Sequence, residues 1–157
     1  MMNDFDDYDM VVKLVLIGDS AVGKSNILNR YTKDQFTLNT KSTVGVEFAA
    51  KSVPVGDQIV KAQIWDTAGQ ERYKSVTNAY YKNSKGALIV YDITNKKSFD
   101  DVDSWYNDLK DKADSDTVLY LIGNKIDLES YRVVSETEGQ QKAERLGREC
   151  LYRYAIS

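Results

Sequence analysis

Eight consecutive residues constrain the fold of this chain more than any other feature: Gly18-Asp19-Ser20-Ala21-Val22-Gly23-Lys24-Ser25, a match to G-x-x-x-x-G-K-[ST]. They follow an apolar, β-branched run at 11–18 and open an amphipathic stretch at 24–32, so the loop joins a buried strand to a helix. In that context the glycines let the backbone wrap a phosphate, and the loop N–H groups add to the positive end of the helix. Lys24 would reach the outer phosphates, the Ser25 hydroxyl would ligate Mg²⁺, and Asn26 completes the set of contacts. The plain alternative is a glycine-rich turn with a surface lysine, which would require neither the strand before it nor the helix after it.

The rest of the chain repeats the same alternation. Short apolar runs at 86–92 and 117–124 each end in a polar cluster and read as further central strands. Segments 46–55 and 59–65 flank Gly56-Asp57-Gln58 and read as an antiparallel hairpin at the sheet edge, where the single proline, Pro54, is tolerated. A last strand is expected at 150–156. Helices are expected at 24–32, 73–82, 98–113 and 136–146, with Ser98 as a cap, Asp100 and Asp101 in its first turn, and Gly147 as a stop. The fold class is therefore α/β: a mostly parallel six-stranded sheet with one antiparallel edge hairpin and helices on both faces. Ligands bind beyond the carboxyl ends of such strands, which here means after Ile17, Trp65, Val90 and Ile122.

With 157 residues the chain is the size of one domain, read as an acidic N-terminal extension at 1–9 and a domain at 10–157. A net charge of −3 offers no general attraction for nucleic acid, which is not an expected partner. Histidine is absent and Cys150 is the only cysteine, which excludes His-based triads, disulfides and cysteine zinc sites and fits a cytoplasmic setting. No apolar run approaches the roughly 20 residues of a membrane span.

Two more motifs follow predicted strands. Asn124-Lys125-Ile126-Asp127 comes after the run ending at Ile122. The Asp127 carboxylate can accept from both N1–H and the exocyclic amino group of guanine, whereas adenine presents an acceptor at N1. Asn124 would brace the loops and Lys125 would lay its stem along the base. Asp66-Thr67-Ala68-Gly69-Gln70 follows the run ending at Trp65. Asp66 would hold Mg²⁺, Gly69 would offer its N–H to a γ-phosphate, and Gln70 would orient the attacking water. Thr43 lies in a polar loop, where it could cap a turn or begin a strand as readily as hold a metal.

These residues together resemble the Ras superfamily of small GTPases, and the intervening strings resemble its Rab family in particular. They include Thr43-Val44-Gly45-Val46-Glu47-Phe48, Lys61 through Tyr73, Ala79-Tyr80-Tyr81-Lys82 and Gly86 through Thr94. The subgroup linked to recycling endosomes is the most similar. The resemblance implies a small G-domain of the P-loop type that binds GTP or GDP with Mg²⁺. It further implies that Thr43 ligates the metal, that Phe36 packs on the base, and that Val46, Phe48, Trp65 and Tyr80 form an apolar patch read by effectors, although as plain residues these four read as strand and helix core. The implied partners are an exchange factor, a GTPase-activating protein and effectors. The expected protein is a monomer cycling between cytosol and the cytosolic face of endosomal or other vesicle membranes.

Two departures stand out. Where the family has a Ser-Ala-Lys-like loop, this chain reads Tyr152-Arg153-Tyr154-Ala155-Ile156-Ser157, so either Ala155 supports base recognition or the motif only begins at Ser157. The family's final helix and lipidated tail are absent from the given chain. Right-handed crossovers also leave one sheet face covered mainly by 24–32, so a further helix beyond Ser157, then a prenylated tail as the only membrane attachment, is expected.

The expected reaction is slow hydrolysis of GTP by in-line attack of water, with Lys24, Thr43 and Gln70 as the catalytic residues. One rival is a P-loop kinase or ATPase, against which Asp127 argues. The other is a nucleotide-locked scaffold, against which Gln70, Thr43 and Asp66 argue.

Overall fold

The computed structural model describes residues 7–33, 46–67, 79–147 and 150–155. The elements run β1 (Met10–Ile17), α1 (Lys24–Lys33), β2 (Val46–Val55), β3 (Gln58–Thr67), β4 (Gly86–Asp92), α2 (Lys96–Asp100), α3 (Val102–Lys112), β5 (Val118–Asn124), a 3₁₀ segment (Ile126–Tyr131), α4 (Glu136–Leu146) and β6 (Cys150–Ala155). One sheet holds all six strands in the order β2-β3-β1-β4-β5-β6. Only the β2–β3 pair is antiparallel, as the hairpin reading requires. Val55 pairs with Gln58, which leaves a two-residue turn, Gly56-Asp57, one residue shorter than expected. Gly56 has φ +60, the positive φ that tight hairpin turns demand at their first central position.

β1 is exposed at its start and buried at its end: Val15, Leu16 and Ile17 are at most 2% exposed. The alternation of a strand sends these side chains to opposite faces. Val15 and Ile17 join Ala87, Ile89, Tyr91, Leu119 and Leu121 in one core, closed by Phe99, Val102, Leu109, Ala143 and Leu146 of α2, α3 and α4. Leu16 joins Ile64, Val90 and Ile122 in a second core with Leu28 of α1 and Val22 of the loop before it. Among the described residues α1 is the only helix on that second face, the uneven coverage that the crossover rule implies.

The helix expected at 98–113 is instead two, α2 and α3, joined at Asp101 in the right-handed helical region (φ −73, ψ −9). Its cap is Asn95 rather than Ser98. The Asn95 side chain accepts from the Ser98 N–H, while Ser98 is buried and its hydroxyl accepts from the Asp92 N–H at 3.0 Å. Ser98 thus ties the helix start to the end of β4. Capping needs a residue in extended geometry, and Asn95 (φ −130, ψ 99) has it. α4 begins with a reciprocal Ser135–Glu138 capping box, and Gly147 (φ +143) ends it as expected. Residues 79–81 are helical; 73–78 of the helix expected there lie outside the described residues.

Candidate nucleotide site

The carboxyl ends of the strands converge because parallel register aligns them. Asp66 of β3 lies opposite Leu16 of β1, Asp92 of β4 opposite Asn124 of β5, and Asn124 opposite Ala155 of β6. One sheet edge thus gathers the phosphate loop, Asp66, the 124–127 motif and the Ala155 backbone. Phe36, Thr43, Gly69 and Gln70 lie outside the described residues.

The loop leaves β1 through Gly18, where φ is +143 and a Cβ would stand 2.2 Å from the Val90 carbonyl oxygen. No side chain fits there, so glycine is required by the crossing of loop and β4 backbones. The loop then passes through two further positive-φ residues, Ala21 (φ 65) and Gly23 (φ 100), before α1 begins at Lys24. Ala21 costs about 1 kcal/mol in this region, an expense typical of sites where backbone geometry serves a ligand.

Lys24 is only 5% exposed. Its ammonium donates to the Gly18 and Asp19 carbonyls at 2.9 and 2.6 Å, leaving one of three N–H groups for a phosphate oxygen. Burial pulls its pKa down to about 8, while the negative charges of Asp66 and Asp19 work in the opposite direction. An arriving polyanion would favour the charged form again. Next in sequence, the Ser25 hydroxyl donates to the Asp66 carboxylate at 2.5 Å. Asp66 is fully buried, so a hydroxyl and a carboxylate, both hard oxygen donors, meet inside the protein within reach of the lysine.

At the other end Asn124 is fully buried and donates to the Val22 carbonyl at 2.8 Å. Lys125 donates to the Ala21 carbonyl at 2.9 Å and pairs with the Asp92 carboxylate at 3.0 Å. It holds a left-handed conformation (φ 69, ψ 39). Both side chains therefore brace the phosphate loop, the role expected of Asn124. Asp127 sits in the first turn of the 3₁₀ segment and is exposed, available to a ligand.

Sequence reasoning missed three participants. Asp92 ends the one expected ligand-side strand that carried no motif, and its carboxylate accepts from the Thr94 N–H and hydroxyl at 2.8 and 2.6 Å while holding Lys125. A buried acid after an apolar strand was the available signal. Trp105 of α3 donates its indole N–H to the Asp19 carboxylate at 2.8 Å, and Asp101 hydrogen-bonds the same carboxyl group. Neither has a local sequence signal, since both contacts cross more than 80 residues.

The effector-patch reading needs one correction. Tyr80 is 3% exposed, and its hydroxyl inserts between β1 and β3. It accepts from the Leu16 N–H at 3.1 Å and reaches the Leu16 carbonyl at 2.7 Å and the Trp65 carbonyl. A ring with its polar tip satisfied inside is core, not surface. Trp65 is partly buried under the Lys13 ammonium, 4.9 Å from the ring centre.

The Ras family profile matches residues 13–155. The chain belongs to the Ras family. This Ras-family chain is 56% identical over 141 residues to Ras-related protein Rab2BV of Beta vulgaris, covering 90% of the chain and 66% of that relative. It is 56% identical over 140 residues to Ras-related protein Rab11B of Nicotiana tabacum, covering 89% and 64%. With Ras-related protein RABA2c of Arabidopsis thaliana the identity is 55% over 141 residues, covering 90% and 65%. The chain thus spans just under two thirds of the length of these relatives. Their Rab names bear out the resemblance drawn from the motifs, including its Rab11-type subgroup.

Proposed function

We propose that this chain is the nucleotide-binding part of a Rab-type small GTPase, which binds GTP and GDP with Mg²⁺ and hydrolyses GTP slowly as a conformational switch in vesicle trafficking. The observation that carries the reading is the cluster of Lys24, Ser25 and Asp66, its ammonium and carboxylate buried and its hydroxyl partly so. A desolvated ammonium bonded to loop carbonyls is an anion site held ready, and a partly buried hydroxyl–carboxylate pair of hard oxygens suits Mg²⁺. Bound there, the metal supplies neutralisation of phosphate charge.

The chain's own residues divide the work. Gly18 to Gly23 shape the backbone to the phosphates, and Lys24 places fixed positive charge against the oxygens that gain charge during transfer. Ser25, Asp66 and, from the family pattern, Thr43 hold the metal. Gln70 orients the water, and Gly69 and Thr43 sense the γ-phosphate. Asp127 reads guanine, with Lys125 and Phe36 along the base and the Ala155 backbone behind it. With no histidine in the chain, no general base is assigned; positioning and charge suffice for this chemistry.

The same reading assigns an exchange factor, an activating protein and effectors as partners of a monomer that works at the cytosolic face of endosomal or other vesicle membranes. No helix among the described residues is long and apolar enough to cross a membrane, and attachment is assigned to a lipidated tail in the full-length protein. Among the described residues α1 is the only helix on the second core face, which supports an additional covering helix in that longer form. The test is to release and identify the nucleotide that purifies with the protein. Guanine nucleotide is expected; adenine nucleotide would contradict the reading.

A further inference from the structure

The phosphate motif leaves Asp19 unexplained, since no phosphate ligand calls for a carboxylate at its second position. Its side chain turns to α3 and the α2–α3 junction, where Trp105 donates to one carboxylate oxygen at 2.8 Å and Asp101 shares a hydrogen bond with the carboxyl group. Asp101 is in turn paired with Lys97 at 2.6 Å. The backbone of Asp19 carries one of the two carbonyls on which Lys24 rests. We propose that Trp105, with Asp101, is a positioning residue of the phosphate loop, clamping the Asp19 side chain and so fixing the carbonyls that aim Lys24. The proposal rests on the nucleotide-binding reading above and adds the residues that set the loop.

The chemistry of the clamp has a direction. An indole N–H can only donate, so it favours an oxygen that carries charge. Two carboxyl groups in contact cannot both ionise easily, and one proton bridges them. Burial first, then Asp101, push the Asp19 carboxyl up to about 6, while its hydrogen bond and Lys97 hold Asp101 below the usual range. The bridging proton therefore belongs to Asp19. Among the described residues the charged groups facing Asp19 are Asp101, Lys97 of α2 and Lys24 of α1; the two lysines oppose the rise, and nucleotide phosphates would add to it. As pH climbs through 6 and above, the proton leaves, the carboxylates repel and only the indole bond remains.

The test follows release of a fluorescent N-methylanthraniloyl-GDP from the wild-type chain, Trp105→Phe and Asp101→Asn between pH 5.5 and 7.5, together with amide exchange at 18–24 in nucleotide-free protein. Trp105→Phe, which keeps an aromatic ring and removes the donor, should release nucleotide about five- to tenfold faster, the net size of one hydrogen bond. The wild type should release faster as pH rises, and Asp101→Asn should flatten that profile. Release and exchange in Trp105→Phe equal to wild type would overturn the proposal. Should Trp105→Phe fail to fold, an Asp101→Asn profile parallel to wild type overturns it and a flat one supports it. If the wild type binds no GDP analogue, the nucleotide reading fails by itself. Exchange at 18–24 then decides the clamp, faster in Trp105→Phe if it exists and unchanged if it does not.

Discussion

The two ends of the site are built on opposite plans. At the phosphate end the chemistry-bearing side chains already hold protein partners: Lys24 the Gly18 and Asp19 carbonyls, Ser25 the Asp66 carboxylate, Asp19 the Trp105 indole. At the base end Asn124 and Lys125 point back to the phosphate loop, and Asp127 stands exposed. Phosphate presents the same oxygens on every nucleotide, so its site can be set by the fold alone. A base must be told from other bases, and that requires a polar group whose partner only the right base can supply.

Replacing Lys24 separates function from stability at the phosphate end. Lys24→Met should lower nucleotide affinity by about 2–5 kcal/mol, the usual cost of removing one partner from a desolvated charged contact. The unfolding midpoint of nucleotide-free protein should hold or rise, because a buried ammonium is a burden to the fold. Isothermal titration and urea unfolding read the two effects. Gly18→Ala should do the reverse and damage the fold itself, by about 3 kcal/mol from the clash with Val90, visible as a lowered urea midpoint.

The depressed Lys24 pKa adds a pH signature. Between about 8 and the ordinary lysine value of 10.5 the unfolded chain binds more protons at this site than the native one. Its contribution therefore makes nucleotide-free protein more stable as pH rises across that window. Bound phosphate restores the charged form, so the contribution should vanish in GDP-loaded protein and in Lys24→Met. Urea midpoints at pH 8, 9 and 10 check this, and equal slopes in wild type and Lys24→Met would deny it.

The smallest effect belongs to the base end. Lys125→Ala loses a pair that is partly exposed on the lysine side, 26% against 9% for Asp92, and keeps the left-handed backbone. Lys125→Gly loses the same pair and the conformational penalty with it. Glycine should therefore be the more stable variant by about 0.5–1 kcal/mol, measured by urea unfolding. The opposite order would show that Lys125 carries no backbone strain.

What sequence could reveal divides along the same line. The strands, the edge hairpin and the phosphate loop were legible because each rests on neighbours in the chain: apolar runs, a turn at Gly56-Asp57, a helix opening at Lys24. The break at Asp101 and the Asn95 cap were not, because Ser98 looks like a better cap until β4 is seen to claim its hydroxyl. Tyr80 was placed in an effector patch by the resemblance alone, while as a plain residue it read as core, which its buried hydroxyl between two strands bears out. Asp101 and Trp105 act on Asp19 from more than 80 residues away, where no local pattern could have assigned them, whereas Asp92 carried a local signal as an acid closing an apolar strand. Asn124 was expected to brace the loops and does so through the Val22 carbonyl; Lys125 was given a role along the base, yet it holds the Ala21 carbonyl and Asp92, which couples the two ends into one unit.

Competition between nucleotides decides whether the exposed Asp127 is the discriminating group. Purified chain loaded with fluorescent GDP is challenged with GTP, ATP and xanthosine triphosphate, for wild type and Asp127→Asn. Wild type should prefer GTP over ATP by at least roughly 10³-fold, and Asp127→Asn should shift preference toward the xanthine nucleotide, because its amide offers a donor to a base carbonyl. ATP displacing the probe as well as GTP does, with Asp127→Asn indistinguishable from wild type, would contradict a guanine-reading site and the GTPase function with it.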